Sequence, residues 1–248
     1  MKTIFLGDTH GHDTWKGIIA KESPDRVVFI GDYFDSYDKE LTTAIQIHNV
    51  KEIIDLKKTG AMEIIMLIGN HDHHYFPEVG YTGTSGYQAG GAPAIGHFLN
   101  ENREHFQMAY GMENILCTHA GVSYDWLVNG QYFNDKTDTS LTAVVDYIND
   151  LWKHKPQEFC FTPSTFFDMY GDSETQTPIW IRPDALRKVN KDTFLKESFI
   201  QIVGHTGQNQ IDIAGKATGG RYFFIDTLGT SGEYLIHEDG VFSAGVKP

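Results

Sequence analysis

The stretch Val27-Val-Phe-Ile-Gly-Asp32 joins a short apolar run, rich in β-branched residues, to a glycine and an acidic side chain. Each such run has the length and composition of a buried strand, so the polar residue falls at the carboxyl end of the strand. Four similar runs lead into a polar residue of a kind that can bind metal: Thr3–Leu6 before Asp8, Ile64–Ile68 before Asn70, Ile115–Cys117 before His119, and Ile200–Val203 before His205.

The segments between these runs predict a layered fold. Apolar residues recur at mostly helical spacing between Glu40 and Lys58, which predicts a crossover helix of a βαβ unit. Tyr222–Asp226 and Tyr234–His237 resemble further strands of a hairpin or meander. The chain therefore predicts one α/β (α+β) domain over residues 1–248, with a mixed sheet system and helices outside. The stretches of about 73–94 and 124–196 depart from the strand rhythm, and we expect them to be insertions at the rim of the site.

Bulk properties limit the class of protein. The chain has 248 residues, a formal net charge of −13 and two cysteines, Cys117 and Cys160. The acidic balance argues against general nucleic-acid binding, which needs a surplus of Lys and Arg. No apolar run reaches the roughly 20 residues of a membrane helix. We expect a cytoplasmic protein with reduced thiols, without membrane attachment. Its oligomeric state is not determined by the sequence.

The polar residues at the strand ends form a ligand set. Asp8 and His10 are two residues apart just past the first run, so both side chains can turn toward one point. Together with four later residues they supply carboxylate, amide and imidazole groups: Asp32, Asn70, His119 and His205. Such a set can hold two metal ions about 3.5–4 Å apart. The mixture of oxygen and nitrogen suits Mn, Fe or Zn better than Ca, which prefers oxygen alone.

The same residues lie in a series of motifs that resembles the calcineurin-like metallophosphoesterases, and within them the phosphoprotein phosphatase (Ser/Thr phosphatase) branch of bacterial or phage type. The motifs occur in the family order and span residues 7 to 206: Gly7-Asp8-Thr9-His10-Gly11, Gly31-Asp32-Tyr33-Phe34-Asp35, Gly69-Asn70-His71-Asp72, His119-Ala120-Gly121 and Gly204-His205-Thr206. The resemblance implies a four-layer αββα sandwich of two mixed β-sheets flanked by helices. It also implies a dinuclear site with Mn as the expected metal and Fe, Zn, Ni or Mg as alternatives.

The resemblance assigns a role to each motif residue. Asp32 bridges the two ions; Asp8 and His10 complete the first site, whereas Asn70, His119 and His205 complete the second. His71 protonates the leaving oxygen and is oriented by Asp35, because an alkoxide leaves poorly unless it is protonated. A water that bridges and is acidified by both ions serves as the in-line nucleophile.

Two positions depart from the family pattern. Ser36 and Ile68 stand where the branch normally carries arginines that clamp phosphate oxygens. Arg182, in Pro178-Ile-Trp-Ile-Arg-Pro183, is our candidate for a replacement clamp, against the alternative of a structural arginine paired with an acidic neighbour. His73 and His74 are expected to shape the rim. Four aromatic residues around the Gly-rich insert are left out of the predicted site: Tyr75, Phe76, Tyr81 and Tyr87.

Three functions remain open at this point. The first is a phosphomonoesterase similar to Ser/Thr protein phosphatases, acting on a phosphoprotein or a nucleotide. The second keeps the site but hydrolyses dinucleoside polyphosphates or cyclic or terminal polynucleotide phosphates, which the missing arginine pair mildly favours. The third is a non-catalytic metal-binding scaffold, against which the intact set of motif residues argues.

Overall fold

The computed structural model describes residues 1–80, 86–129, 138–162, 172–188, 199–215 and 220–248. The described strands are β1 (Lys2–Leu6), β2 (Arg26–Phe29), β3 (Glu63–Leu67), β4 (Phe106–Gln107), β5 (Ala109–Met112), β6 (Ile115–Thr118), β7 (Ile200–Val203), β8 (Tyr222–Phe224), β9 (Glu233–Glu238) and β10 (Val241–Val246). The described α-helices are α1 (Trp15–Glu22), α2 (Thr43–Thr59), α3 (Asn70–His73), α4 (Ala92–Glu101), α5 (Tyr124–Asn129), α6 (Leu141–His154) and α7 (Pro183–Lys188). All five runs that precede a polar residue form strands, as the sequence predicts.

The strands form two mixed sheets. The first has six strands in the order β10-β9-β1-β2-β3-β4, and the second has four in the order β5-β6-β7-β8. In the first sheet β1 to β4 are parallel, whereas β9 runs antiparallel to both β1 and β10. In the second, β6, β7 and β8 are parallel and β5 is antiparallel to β6. Helices flank the two sheets, so the predicted fold class is confirmed.

Alternating side chains divide the core between the two faces of the first sheet. Phe5 and Val28 belong to a buried cluster with Cys117, Ile202 and Phe223 of the second sheet. The intervening residues of β1 and β2 instead join a second buried cluster with residues of the helices: Ile4, Leu6, Val27 and Phe29. Because neighbouring strand residues point to opposite faces, a sheet covered on both sides needs an unbroken apolar run. This requirement explains the sequence pattern that predicted the strands.

The predicted crossover helix between Glu40 and Lys58 is α2, which begins at Thr43 and ends at Thr59. It begins later than predicted because the Thr42 side chain caps it, accepting the Ile45 N–H at 3.4 Å. Gly60, with a φ of 67°, ends it in the left-handed conformation that suits glycine.

The prediction that the last strands form one hairpin or meander is wrong. β8 joins the second sheet, where Phe223 is in register with Ile202 of β7. β9 instead joins the first sheet, with Ile236 opposite Ile4 of β1, and makes its hairpin with β10. Without β8 the second sheet would end at β7, and without β9 the first sheet would end at β1, each with unpaired backbone groups. The chain therefore crosses between the sheets, and β8 and β9 pair with these two strands.

The sheets bring their carboxyl strand ends together. The Gly204 N–H donates to the His119 carbonyl at 2.7 Å within the second sheet. Nδ1 of His119 donates to the carbonyl of Ile30, just past β2 of the first sheet, at 2.8 Å, so the carboxyl ends of the two sheets are in contact. The single domain and its two rim insertions stay predictions, and residues 81–85, 130–137, 163–171 and 189–196 of those insertions lie outside the described ranges. None of the described helices has the length and apolar character that crossing a membrane requires.

Candidate metal centre

The backbone at the strand ends adopts a conformation that few side chains tolerate. His10, Asp32, Asp35 and His205 have φ values of 43°, 53°, 62° and 68°. Left-handed conformations of this kind are uncommon outside glycine, and Asp, Asn and His are the residues most often found in them. Such conformations concentrate at functional sites, where the surrounding structure holds them in place. Four of the predicted site residues therefore lie in turns whose backbone conformation the surrounding structure must hold.

Three of the predicted ligands converge in a buried cluster. Ligand atoms of Asp8, Asp32 and His119 all lie within 4.8 Å of one another, and all three side chains are buried. Burial, followed by the charges of Asp226 and Asp32, raises the pKa of Asp8 well above its usual value. Burial also opposes charge on Asp32, but His119 and His71 outweigh it and lower the pKa of Asp32. Two carboxylates this close and this buried are stabilised by a cation between them.

Asn70 faces two imidazoles in an arrangement that suits a cation. Its side-chain oxygen lies 2.9 Å from Nε2 of His119 and 2.9 Å from Nδ1 of His205. The other nitrogens donate to backbone carbonyls, Nδ1 of His119 to Ile30 at 2.8 Å and Nε2 of His205 to Trp180 at 3.1 Å.

Burial opposes a proton on His119, but Asp32 outweighs it and raises the pKa of His119. A metal would require both rings to be neutral, and two nitrogen lone pairs would then be directed at an acceptor oxygen. Burial and the His119 charge lower the pKa of His205 to about 3, so this ring is neutral and fits as a metal ligand.

His10 has its ring nitrogen roles fixed by the backbone. Its Nδ1 donates to the Phe34 carbonyl at 2.7 Å, which leaves Nε2 as the nitrogen that can bind a metal. The ring lies edge to face with that of His71, with 5.2 Å between the centroids. All six predicted ligands thus offer oxygen or nitrogen atoms of types that bind divalent ions.

The predicted acid and its orienting carboxylate are paired. Nδ1 of His71 lies 2.9 Å from Oδ2 of Asp35, and the His71 N–H donates to Oδ1 of Asp32 at 2.9 Å. Burial opposes a proton on His71, but Asp32 and Asp35 outweigh it and raise its pKa to about 9. A protonated imidazole directly beside the cluster can donate a proton to a leaving group.

Asp72 holds together the two turns that carry Asp32 and Asn70. Its Oδ2 accepts the N–H groups of Asp32 at 2.8 Å and Gly69 at 2.9 Å, and its Oδ1 accepts those of Tyr33 at 2.8 Å and Phe34 at 3.3 Å. The side chain is fully buried. A single carboxylate thus satisfies four backbone donors that would otherwise be buried without partners.

One of the family's clamp positions, Ile68, differs in burial from the proposed replacement clamp, Arg182. Ile68 is fully buried in the helix-facing core, so this position provides no cation. Arg182 is exposed just before α7, and its charge is among those that lower the pKa of His205. The structure thus brings Arg182 to the side of the cluster occupied by His205, whereas its contact with a substrate remains a prediction.

Two expectations about neighbouring residues are wrong. His73 and His74 do not shape the rim, since both are 1% exposed. Nε2 of His73 donates to the Pro156 carbonyl at 2.8 Å, and Nε2 of His74 lies 3.0 Å from Oδ2 of Asp35. Tyr75, left out of the predicted site, donates its hydroxyl to Oδ1 of Asp35. Polar residues after a turn usually face solvent, and here distant chain segments supply their partners instead.

Asp226 is a further acidic residue whose charge acts on the cluster, and the sequence reasoning missed it. Burial raises its pKa, the His10 charge opposes that rise, and its own charge contributes to the raised pKa of Asp8. It follows Tyr222-Phe-Phe-Ile225, so it has the same relation to β8 that Asp8 has to β1. The run lacks the intervening glycine, but the strand followed by an acid was a usable signal.

Comparison with known proteins identifies the class. The calcineurin-like phosphoesterase family model matches residues 1–209, and the chain belongs to this family. It is accordingly a metal-dependent phosphoester hydrolase. No match was found among curated protein sequences.

Solved structures agree on the fold. A mutant cold-active protein tyrosine phosphatase is 16% identical with a TM-score of 0.67, over 99% of this chain and 78% of that chain. The cold-active protein tyrosine phosphatase of a psychrophilic Shewanella is 15% identical with a TM-score of 0.63, over 99% and 78%. A serine/threonine phosphatase from Saccharomyces cerevisiae is 13% identical with a TM-score of 0.55, over 99% and 80%.

Proposed function

We propose that the protein hydrolyses phosphomonoesters with a pair of divalent metal ions, in the manner of Ser/Thr protein phosphatases. The observation that carries the proposal is the His71–Asp35 pair beside the cluster of Asp8, Asp32 and His119. Asp8, His10 and Asp32 would hold one ion, and Asp32, Asn70, His119 and His205 the other. Mn is the expected metal, with Fe, Zn, Ni or Mg as alternatives. When bound, the ions supply Lewis-acid charge and acidify water.

His71 is the proton donor in this proposal. Asp35 accepts from Nδ1, so Nε2 is left as the nitrogen that gives its proton to the departing oxygen. The Asp35 carboxylate also stabilises the charged imidazole before the transfer. Arg182 supplies the nearby positive charge that would neutralise phosphoryl oxygens in place of the absent arginine pair. The three solved structures described above are of protein phosphatases, which supports a phosphoprotein as the first substrate class to test.

The test is hydrolysis of p-nitrophenyl phosphate and bis-p-nitrophenyl phosphate by metal-stripped protein, with Mn, Zn, Mg, Ni and Fe returned one at a time. We expect metal-restored activity with preference for the monoester. His71→Gln should lose that activity, whereas His154→Gln, a change of an exposed histidine near the end of α6, should retain it. Absence of hydrolysis with every metal would contradict the proposal and favour a metal-binding scaffold.

A second function is favoured by one observation. Buried Ile68 removes a clamp that would bind the dianion of a monoester, so an anhydride or a less charged ester is the alternative substrate. Preference for the diester in the same assay would favour the alternative of dinucleoside polyphosphates or cyclic or terminal polynucleotide phosphates.

A further inference from the structure

Asp35 has more polar partners than the orientation of one histidine requires. Its Oδ2 accepts a hydrogen bond from Nδ1 of His71 at 2.9 Å and makes an ion-pair contact of 3.0 Å with Nε2 of His74. Its Oδ1 accepts a hydrogen bond from the Tyr75 hydroxyl and a longer one, at 3.5 Å, from Nε2 of Gln88. Asp35 is fully buried, so these protein groups replace the water that would surround an exposed carboxylate. Donors on both oxygens prevent the carboxylate from turning about its bond to Cβ.

The Tyr75 hydroxyl is itself held by a chain of hydrogen bonds that reaches α2. It accepts the Gln88 N–H at 2.8 Å, so its own proton is directed to Asp35. The Gln88 side chain accepts from Thr43 Oγ1 at 2.8 Å and donates to Gln46 Oε1 at 2.9 Å. Thr43 and Gln46 lie in the first turn of α2. The donor to Asp35 is therefore anchored to a regular element rather than to the loop alone.

Ring packing fixes the remaining freedom of the two side chains. His74 packs edge to face against Tyr75 and Tyr87, with centroid distances of 4.3 Å and 4.9 Å. Tyr75 and Tyr87 are stacked at 5.1 Å with 15° between their planes. His74 and Tyr75 are both buried, so neither ring can swing away from Asp35 without opening this packing.

We infer that His74 and Tyr75 are positioning residues that hold the Asp35 carboxylate, and through it the His71 imidazole, in the geometry for proton donation to the leaving oxygen. The inference rests on the proposed function, because it concerns the orientation of the histidine that is the proton donor there. A general acid must point at the departing atom, and its contribution falls when the ring is free to rotate. The packed rings and the bonds to α2 supply that restraint.

The first test is Tyr75→Phe, which removes one hydroxyl and keeps the ring. We would measure kcat/KM for phenyl, p-nitrophenyl and dinitrophenyl phosphate, whose leaving groups need a proton to decreasing degrees. The inference predicts a loss of about tenfold with phenyl phosphate and less than about twofold with dinitrophenyl phosphate. A loss that is equal for the three esters, or no loss at all, would refute it.

A second pair of variants guards against a folding effect. His74→Gln keeps a donor near the position of Nε2, whereas His74→Leu removes it, so the glutamine variant should recover most of the activity on phenyl phosphate. The matched control is Tyr234→Phe, because the Tyr234 hydroxyl also donates to a carboxylate, that of Glu22 at 2.6 Å, in the contact between β9 and α1. Tyr234→Phe should leave the leaving-group dependence unchanged, and a shift equal to that of Tyr75→Phe would overturn the inference.

A readout without turnover separates the inference from the proposed function. In zinc-loaded protein, the His71 Nδ1 proton that faces Asp35 should give a protected low-field NMR signal, which Tyr75→Phe weakens by faster exchange and Tyr234→Phe does not. If the wild type hydrolyses none of the esters, the proposed function fails while this signal still decides the positioning role. A signal that is unchanged in Tyr75→Phe would refute that role.

Discussion

Replacing Asp72 with asparagine should destabilise the protein and loosen its metal centre together. The carboxylate accepts four backbone N–H groups, two on each oxygen. An asparagine keeps one acceptor oxygen and places an NH2 group where the other stood. Two of the four backbone donors then face a donor instead of an acceptor.

The size of the effect follows from these contacts. A hydrogen bond to a charged group contributes roughly 1.5–3 kcal/mol, so two lost bonds amount to about 3–6 kcal/mol. Burial and the charge of Asp32 raise the pKa of Asp72 to about 7, so removing the charge returns part of this loss. We therefore expect the lower end, about 3 kcal/mol in the free energy of unfolding. Because the same bonds hold Asp32 and the turn before Asn70, Mn affinity should fall by about 10–100-fold.

The assay is urea unfolding of the metal-free protein at about pH 8, where the wild-type carboxyl is mostly ionised, with calorimetric titration of Mn alongside. Asp25→Asn is the matched control: exposed Asp25 accepts one backbone N–H, that of Lys2 at 2.7 Å, and its loss should change stability by less than about 0.5 kcal/mol. A change below about 1 kcal/mol for Asp72→Asn, with unaltered Mn affinity, would refute the reasoning.

Three further predictions concern the acid, the metals and pH. His71→Gln should lower kcat at least about 100-fold in steady-state assays while metal content by mass spectrometry stays unchanged; loss of metal would contradict its role as proton donor. Chelation should lower the urea midpoint, because Asp8 and Asp32 then repel each other without a cation, and an unchanged midpoint would argue against a metal site. Burial lowers the pKa of His73 from an ordinary 6.5 to about 4. Neutral His73 makes its full contribution to the free energy of unfolding above pH 6.5. About 3 kcal/mol of that contribution is lost as the pH falls toward 4. His73→Gln should remove that part of the pH dependence in unfolding measured across this range, and an identical profile would contradict the assignment.

The local rules of strand and helix formation account for the parts that were predictable. Runs such as Ile64–Ile68 are apolar without interruption because both faces of the first sheet are covered, and this shows in the sequence. A residue that follows such a run stands at the carboxyl edge, where parallel strands end side by side. The shared edge of Asp8, Asp32 and Asn70 is therefore predictable from the strand pattern alone.

Partners from distant parts of the chain account for the parts that were missed. His74 looks like a residue of an exposed turn until Asp35 and Tyr87 pack against it. β9 looks like the partner of β8 until the free edge of β1 is taken into account. The residue pattern within one segment does not show which partners a distant segment will supply.

The sequence by itself determined the five strands that precede a polar residue, the crossover helix and the order of the metal-binding residue types, because apolar runs and glycine turns act over a few neighbouring residues. Only the tertiary structure decided that the charge of Asp226 acts on Asp8, that Asp72 binds four backbone donors, and that His74 and Tyr75 contact Asp35. These contacts join segments that are far apart in the chain, and they form only when the two sheets pack together.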